Sequence, residues 1–112
     1  MSTPLSAEFR STAPVFAALG DENRLRLMAR LSGGEPLSIT QLATGAAVTR
    51  QAITKHLHVL AAARLVTGYR RGRQQFWQLN PRQLQDARRC LDLIGRQWDH
   101  ALARLKAHVE ND

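Results

Sequence analysis

The sequence predicts a mainly α-helical single domain, residues 1–112, with one small β-hairpin and the element order α-α-α-α-β-β-α. Apolar residues recur every three or four positions over most of the chain, which is the spacing of helices that pack along one face. Around residues 65–79 this spacing gives way to short runs rich in β-branched and aromatic residues, which favour strands. A domain of 112 residues buries a modest fraction of its surface, so pairing with a second copy is also expected.

The first two helices are predicted from apolar spacing and from the residues at their ends. The first covers residues 6–19, and Pro14 inside it indicates either a kink or a later start. The second begins after Asp21, a suitable N-cap, and ends at Gly33 and Gly34. The predicted apolar faces consist of Phe9, Ala13, Phe16 and Ala17 in the first helix and of Leu25, Met28 and Leu31 in the second.

Residues 38–63 are predicted to form two short helices joined by a tight turn. Ser38 and Gln41 have the spacing of a capping box, in which each side chain satisfies a free backbone N–H, and this helix breaks at Gly45. The next helix starts after Thr49 as N-cap. Its inward stripe consists of Ile53, Leu57 and Leu60. Two such helices make a helix-turn-helix arrangement.

The side of the fourth helix opposite this stripe is polar and basic. Glutamine matches the edge of adenine, arginine or lysine matches guanine, and threonine contacts a phosphate or the thymine methyl group. The sequence therefore predicts a recognition helix that enters the major groove of double-stranded DNA, an ordinary solvated helix face being the alternative. The predicted DNA contacts are Thr49, Arg50, Gln51, Thr54, Lys55 and His58.

Residues 65–79 are predicted to form a hairpin with a basic tip. Strands are expected over residues 65–69 and 74–79, where Trp77 and Leu79 can cover the helices from one face of the hairpin. A hairpin placed directly after a recognition helix is a wing, whose arginines can contact flanking phosphates or a narrow minor groove. A solvated hairpin tip is the alternative. The wing arginines are Arg70, Arg71 and Arg73.

A last helix is predicted over residues 81–109, with Asn80 as N-cap and Pro81 in its first turn. Its apolar residues alternate steps of three and four, and its length of about 40 Å is too great for this domain alone to cover its apolar edge. A homodimer through the first and last helices is therefore expected, with packing inside one chain as the alternative. The predicted interface consists of Phe9, Phe16, Leu84, Ala87, Leu91, Ile94, Trp98 and Leu105.

Charge supports a nucleic-acid partner. The chain carries 16 Lys and Arg against 9 Asp and Glu, and the excess lies in residues 36–85, which contain no acidic residue. A basic stretch free of acids fits a polyanion-binding surface, a generic solubilising charge being the alternative. No apolar run approaches the length of a bilayer span, so a soluble, cytoplasmic protein without a membrane partner is expected.

Three segments carry a family resemblance. Residues 21–28, residues 48–60, and Leu65-Val66 followed by the Arg-Gly-Arg hairpin resemble the ArsR family of winged-helix regulators, and the match spans nearly the whole chain. The resemblance implies that residues 49–60 form the recognition helix, that the hairpin is the wing and that the terminal helices form the dimer. It also implies repression of an operon, often the regulator's own.

Metal sensors occur in the same family, but this sequence departs from their patterns. The sensor site of the third helix requires paired cysteines, and residues 41–46 have none. The last helix offers Asp99, His100, His108 and Glu110 without the family spacing, so no metal and no other cofactor is expected. Cys90 is expected to act as a small apolar residue, and an intermolecular thiol is the alternative. His56 is expected to be packed or locally bonded.

Together these observations predict a sequence-specific regulator that binds double-stranded DNA, acting as a homodimeric repressor or autorepressor on a palindromic operator. The alternatives are a winged helix for protein contacts, a metal-responsive repressor and a binder of structured RNA. Catalysis is not expected, because the sequence shows no phosphate loop, paired catalytic carboxylates or ligand-spaced cluster. The inducer, a small molecule or a protein, is not specified by the sequence.

Overall fold

The computed structural model describes residues 4–111, which form five helices and a three-stranded antiparallel sheet of order β1-β3-β2. The elements are α1 (Pro4–Leu19), α2 (Glu22–Leu31), β1 (Leu37–Ser38), α3 (Ile39–Ala43), α4 (Arg50–Ala62), β2 (Val66–Arg71), β3 (Gln74–Leu79) and α5 (Pro81–Glu110). The predicted mainly α-helical fold with a small hairpin is confirmed, and one short strand is added to it.

Side-chain caps fix where four of the helices begin. Asp21, Ser38, Thr49 and Asn80 lie at the N-caps of α2, α3, α4 and α5, as predicted. Their side-chain oxygens accept the backbone N–H groups of Arg24, Gln41, Ala52 and Arg82, respectively. At Ser38 the capping box is complete, since Gln41 Oε1 accepts the Ser38 N–H at 2.8 Å.

The buried faces of α1 and α2 differ from the predicted ones. Pro14 does not interrupt α1, and this helix buries Thr12, Val15 and Ala18 in place of the predicted alanines. In α2 the prediction that Leu25 faces inward is wrong, because Leu27 occupies the core beside Met28 and Leu31. Residues 27, 28 and 31 lie on one side of the helix, whereas residue 25 lies about 160° around the axis from residue 27.

The core lies between the first four helices, the sheet and the first half of α5. The predicted inward stripe of α4 is confirmed, since all three of its residues are fully buried. Leu65 is also fully buried, and its backbone N–H donates to Leu60 O at 2.9 Å where α4 ends. Trp77 from β3 closes the core on the sheet side with an exposed fraction of 3%.

The first strand of the hairpin starts one residue later and ends two residues later than predicted, and a third strand joins the sheet. β2 starts at Val66 and continues to Arg71, so only Gly72 and Arg73 form the turn. Gly72 has φ +64°, a value that a glycine adopts without strain in a two-residue hairpin turn. Strand β1 pairs with β3, with Leu37 opposite Trp77, because the chain is already extended where it enters α3.

Helix α5 extends well beyond the rest of the domain. Its first half packs on α1, where Arg89 forms ion pairs with Glu8 at 3.0 Å and with Asp86 at 2.8 Å. Every residue from 96 to 111 is exposed. The radius of gyration is consequently 18.6 Å, against about 13 Å for a compact domain of this length. None of the helices in the described range is long and apolar enough to cross a membrane.

Candidate nucleic-acid interface

The N-cap and the buried apolar stripe of helix α4 fix its orientation about its own axis. The Thr49 hydroxyl oxygen accepts the Ala52 N–H at 3.1 Å, and the apolar stripe beginning at Ile53 is excluded from water. The opposite side therefore faces solvent. It presents Arg50, Gln51, Lys55 and His58 as exposed residues and Thr54 as a half-buried one.

Gln51 and Lys55 form the accessible centre of this face. They lie four positions apart, so their side chains are neighbours on one side of the helix. Both are exposed, and within residues 4–111 neither makes a side-chain hydrogen bond or an ion pair. Their amide and ammonium groups are thus available to an external partner without breaking an internal contact.

Three other residues predicted to contact DNA already form hydrogen bonds within the domain. The Arg50 guanidinium donates from Nη2 to Thr40 Oγ1 at 3.2 Å, which connects α4 to α3. The Thr54 hydroxyl donates to Arg50 O at 2.9 Å, and Thr49 serves as the cap. Arg50 retains further donors because a guanidinium has five N–H groups. These residues help to position the helix as well as lying on its outward face.

His58 lies against the sheet, a contact that sequence reasoning missed. Its ring centroid is 5.8 Å from that of Trp77, with an interplanar angle of 56°. Aromatic pairs at this separation and tilt attract one another. No local spacing in the sequence indicates the contact, because the two residues belong to different elements that only the tertiary fold brings together. His58 therefore connects α4 to β3.

The wing projects its arginines from a rigid base. Arg70 and Arg71 lie opposite Gln75 and Gln74, respectively, and successive side chains of a strand point to opposite faces. Both arginines and Arg73 are exposed. The base is stiffened by Tyr69 and Phe76, whose rings stack at 5.8 Å with an interplanar angle of 22°.

Acidic side chains do not neutralise this surface. Within the described residues, the ion pairs of arginine and lysine all use carboxylates outside residues 36–85. None of these pairs involves Lys55, Arg50 or a wing arginine. The outward face of α4 and the hairpin tip consequently share an uncompensated positive potential, which attracts phosphate.

A small polar cluster connects the start of α2 to α4. The Arg24 backbone N–H donates to Asp21 Oδ1 at 3.0 Å, and this bond is the main reason that the pKa of Asp21 lies below its ordinary value. The nearby Arg24 guanidinium and His56 imidazole lower it further, against the opposing effect of desolvation. Half-buried His56 lies with Nδ1 at 3.4 Å from Arg24 Nη1 and 4.0 Å from Asp21 Oδ1, so its predicted local bonding is confirmed.

The candidate metal ligands of the last helix and the Cys90 thiol lie away from the outward face of α4. In the part of the chain that the structure describes, no three histidine, cysteine or acidic side chains are grouped closely enough to hold a metal ion. His100 is exposed in the outer half of α5, as are Asp99, His108 and Glu110. Cys90 of α5 is a free and buried thiol, with an exposed fraction of 2%.

The residues predicted at the dimer interface divide into two sets. Ala87 is buried in its own subunit, and Phe16, Leu84 and Ile94 are half-buried. Phe9 and the outer residues of α5 remain exposed. The exposed large apolar side chains of α5 are Leu91, Trp98, Leu102, Leu105 and Val109, of which Leu102 and Val109 had not been predicted at the interface.

Comparisons with known proteins agree with this geometry. A family profile described as a helix-turn-helix domain matches residues 19–69. The HTH-type transcriptional regulator Rv2034 of Mycobacterium tuberculosis is 38% identical over 104 residues, which cover 93% of this chain and 94% of that protein. The structure of an ArsR-like transcriptional regulator from Rhodococcus sp. RHA1 has 39% sequence identity and a TM-score of 0.72, covering 88% of this chain and 92% of that one.

A more distant structure shares the fold. It comes from Mycobacterium bovis and is described as a homodimeric winged helix-turn-helix DNA-binding domain, a possible ArsR-family transcriptional regulator. Its identity is 22% and its TM-score 0.63, with 88% of each chain covered. The extensive similarity to the first two proteins decides the family: this chain belongs to the ArsR family of winged helix-turn-helix transcriptional regulators.

Proposed function

We propose that the protein acts as a homodimeric repressor that recognises a palindromic operator in double-stranded DNA. The observation that carries the proposal is the outward face of α4, where Gln51 and Lys55 are exposed and unengaged beside a surface free of acidic residues. Glutamine and lysine at adjacent helical turns suit the edges of adenine and guanine in the major groove. The other residues of the recognition face, Thr49, Arg50, Thr54 and His58, orient this helix and contact the flanking backbone.

The wing contributes affinity without sequence preference in this proposal. Arg70, Arg71 and Arg73 contact phosphates on either side of the bases that α4 reads, because a flexible arginine needs no fixed geometry to neutralise a phosphate. Residues 38–63 then form the reading unit and residues 65–79 the wing. The terminal helices, residues 6–19 and 81–109, form the dimer.

Dimerisation is supported by the exposed apolar side of α5 and by the homodimeric description of the Mycobacterium bovis protein. Two-fold symmetry places two copies of α4 in successive major grooves about 34 Å apart, which requires a palindromic site. A bound dimer then blocks polymerase at a promoter. The protein works in the cytoplasm, where the DNA is, and has no catalytic step.

The test is fluorescence anisotropy with duplex DNA from the gene's own upstream region, measured against a scrambled duplex across a salt series. Binding of two subunits per site with resistance to scrambled competitor is expected. Gln51→Ala and Lys55→Ala should each reduce the preference for the upstream sequence about five-fold or more, since a good base contact discriminates by about 1–3 kcal/mol. Gln85→Ala, an exposed glutamine of α5, serves as the matched control and should leave the preference unchanged.

Two outcomes would contradict the proposal. Binding that is equally strong to both duplexes would leave only a basic winged helix without an operator. Loss of sequence preference on removal of the wing arginines, with the preference intact in Gln51→Ala and Lys55→Ala, would reverse the roles assigned to the wing and to α4.

A further inference from the structure

A cavity of about 430 Å³ lies behind the helix-turn-helix, away from the dimer helices. One wall is a single face of α2, formed by residues 23, 26, 27 and 30 at positions i, i+3, i+4 and i+7. The other walls are Leu42 of α3, the turn at residues 45–48 and Ile53 of α4. Its volume lies within the range of about 300–1,000 Å³ that is typical of small-molecule sites.

Small side chains in the walls explain why this space stays open. Gly45, Ala46 and Ala47 form the turn between α3 and α4, and Ala29 lies beside the α2 wall, so few side-chain atoms enter the space between them. The bottom of the cavity is apolar, because Leu27 and the two core residues Leu42 and Ile53 line it. An apolar group placed there would be removed from water.

The rim of the cavity is cationic. Arg26 and Arg30 lie one turn apart on α2, next to the amide of Asn23, and the described residues that line the cavity include no acidic one. Arg26 pairs with Glu22, and Arg30 donates from Nη2 to Gln41 O at 3.0 Å. Each guanidinium has five donors, so both arginines keep N–H groups free for an added carboxylate.

We propose that this cavity binds a small amphipathic monocarboxylate, whose apolar body lies on Leu27 and whose carboxylate pairs with Arg30 and Arg26, and that binding lowers the affinity for operator DNA. The regulatory part rests on the proposed function above. Charge complementarity selects an anion, and the apolar bottom selects a hydrocarbon or aromatic body over a free phosphate or sugar.

The cavity is coupled to the DNA-binding face through its walls. Val48 directly precedes the N-cap of α4, and Ile53 is one of the residues that anchor α4 in the core. A carboxylate bound by the remaining N–H groups of Arg30 shares this guanidinium with Gln41 O, the bond that connects α2 to α3. Thr40 beside it holds Arg50 of the recognition face. Binding of the ligand therefore favours a different orientation of α3 and α4. The negative charge of the bound carboxylate also offsets part of the positive potential of the DNA-binding face.

Octanoate is the probe for binding, and octylamine and 1-octanol carry the same apolar body with a positive and a neutral head. In the full chain, octanoate should shift the backbone amide NMR signals of residues 45–48, while octylamine should not and octanol should bind more weakly. Arg30→Gln should weaken octanoate binding about ten-fold, as expected for a hydrogen bond between charged groups. Arg10→Gln removes the same charge from an exposed position of α1 and should leave octanoate binding unchanged.

The same titration in the presence of upstream duplex tests the coupling. Saturating octanoate should weaken operator binding about five-fold or more, the usual lower range for coupled sites, in the parent but not in Arg30→Gln. Equal shifts of the amide NMR signals with octanoate and octylamine, or shifts confined to residues of α5, would contradict the proposed binding site. Octanoate binding with unchanged DNA affinity would overturn the regulation. If the protein does not bind operator DNA even without octanoate, the proposed function is refuted. The NMR titration would still show whether octanoate binds in this cavity.

Discussion

Trp77 sets the shape of the wing, because its ring occupies the space that a side chain at position 68 would need. A Cβ built on Gly68 would meet three carbons of the buried Trp77 ring at 2.8, 3.0 and 3.0 Å. Gly68→Ala should therefore cost about 1–3 kcal/mol of stability, the usual cost of overpacking. Thermal unfolding at a fixed protein concentration measures this loss.

Gly33→Ala is the matched control for that experiment. A Cβ at Gly33 meets nothing within 4 Å, and its backbone needs no positive φ. Gly33→Ala should be neutral or stabilise the protein by up to about 1 kcal/mol, because alanine lowers the conformational entropy of the unfolded chain. Equal stabilities of the two variants would show that the Trp77 ring moves freely and that it does not fix the wing.

Asp21 should give the protein an acid-sensitive contribution to stability. Its folded pKa lies below the ordinary value of 3.8, chiefly because the carboxylate accepts the Arg24 N–H. A lowered folded pKa means that the stabilisation is fully present above pH 3.8 and is lost as the pH falls through the folded value. Asp21→Asn retains a capping side chain without a titrating charge.

The measurement is the stability difference between the parent and Asp21→Asn from about pH 6 to about pH 2.5. The parent should be the more stable protein at the upper end, and the difference should shrink below about pH 4. A difference that is constant over this whole interval would show that the Asp21 charge does not contribute through its titration.

At the scale of elements, the wing and α4 should show different responses to salt. Removal of two wing charges together, as Arg71→Gln with Arg73→Gln, should weaken binding to every duplex alike. The slope of log affinity against log salt should decrease by about 0.9 for each phosphate that is no longer neutralised. Anisotropy titrations on upstream and scrambled duplexes, each over the same salt range, measure both effects.

Arg10→Gln with Arg88→Gln provides the control for net charge, since both residues are exposed on the terminal helices. If this pair lowers the slope as much as the wing pair does, total charge and not the position of the hairpin tip governs binding.

The elements that the sequence predicts well are those fixed by neighbours in the chain. The caps at Ser38 and Thr49 depend on residues three positions away, and the stripe from Ile53 to Leu60 follows from helical periodicity. Strand β1 was missed because two residues carry no periodicity, and Trp77, which pairs with Leu37, is far along the chain. Leu25 was misplaced because three apolar residues spaced by three define a face only loosely.

The candidate site follows the same division. Sequence periodicity placed Gln51 and Lys55 outward, and the charge pattern marked the wing, because both are local properties. The bond from Arg50 to Thr40 and the contact of His58 with Trp77 depend on how separate elements pack. The cavity beneath the turn likewise results from the distance between α2 and α3, which no local pattern specifies.

At the scale of the whole molecule, the shape implies a partner for α5. The longest extent is 67 Å, and the outer half of α5 leaves Trp98 with 68% of its surface exposed. A tryptophan at the centre of an interface is a typical hot spot. Trp98→Glu should weaken the dimer by about 2 kcal/mol or more, roughly thirty-fold, because it removes the aromatic anchor and places a charge in the seam.

His100→Glu is the control, because position 100 lies about 200° around the helix from position 98 and is also exposed to solvent. Sedimentation velocity over a dilution series should show dissociation of Trp98→Glu at concentrations where His100→Glu and the parent remain dimeric. Operator affinity should then fall steeply on dilution in the first variant alone, since one subunit reaches only half of a palindrome. A monomeric parent that still binds the whole operator tightly would contradict both the dimer and the two-fold geometry that depends on it.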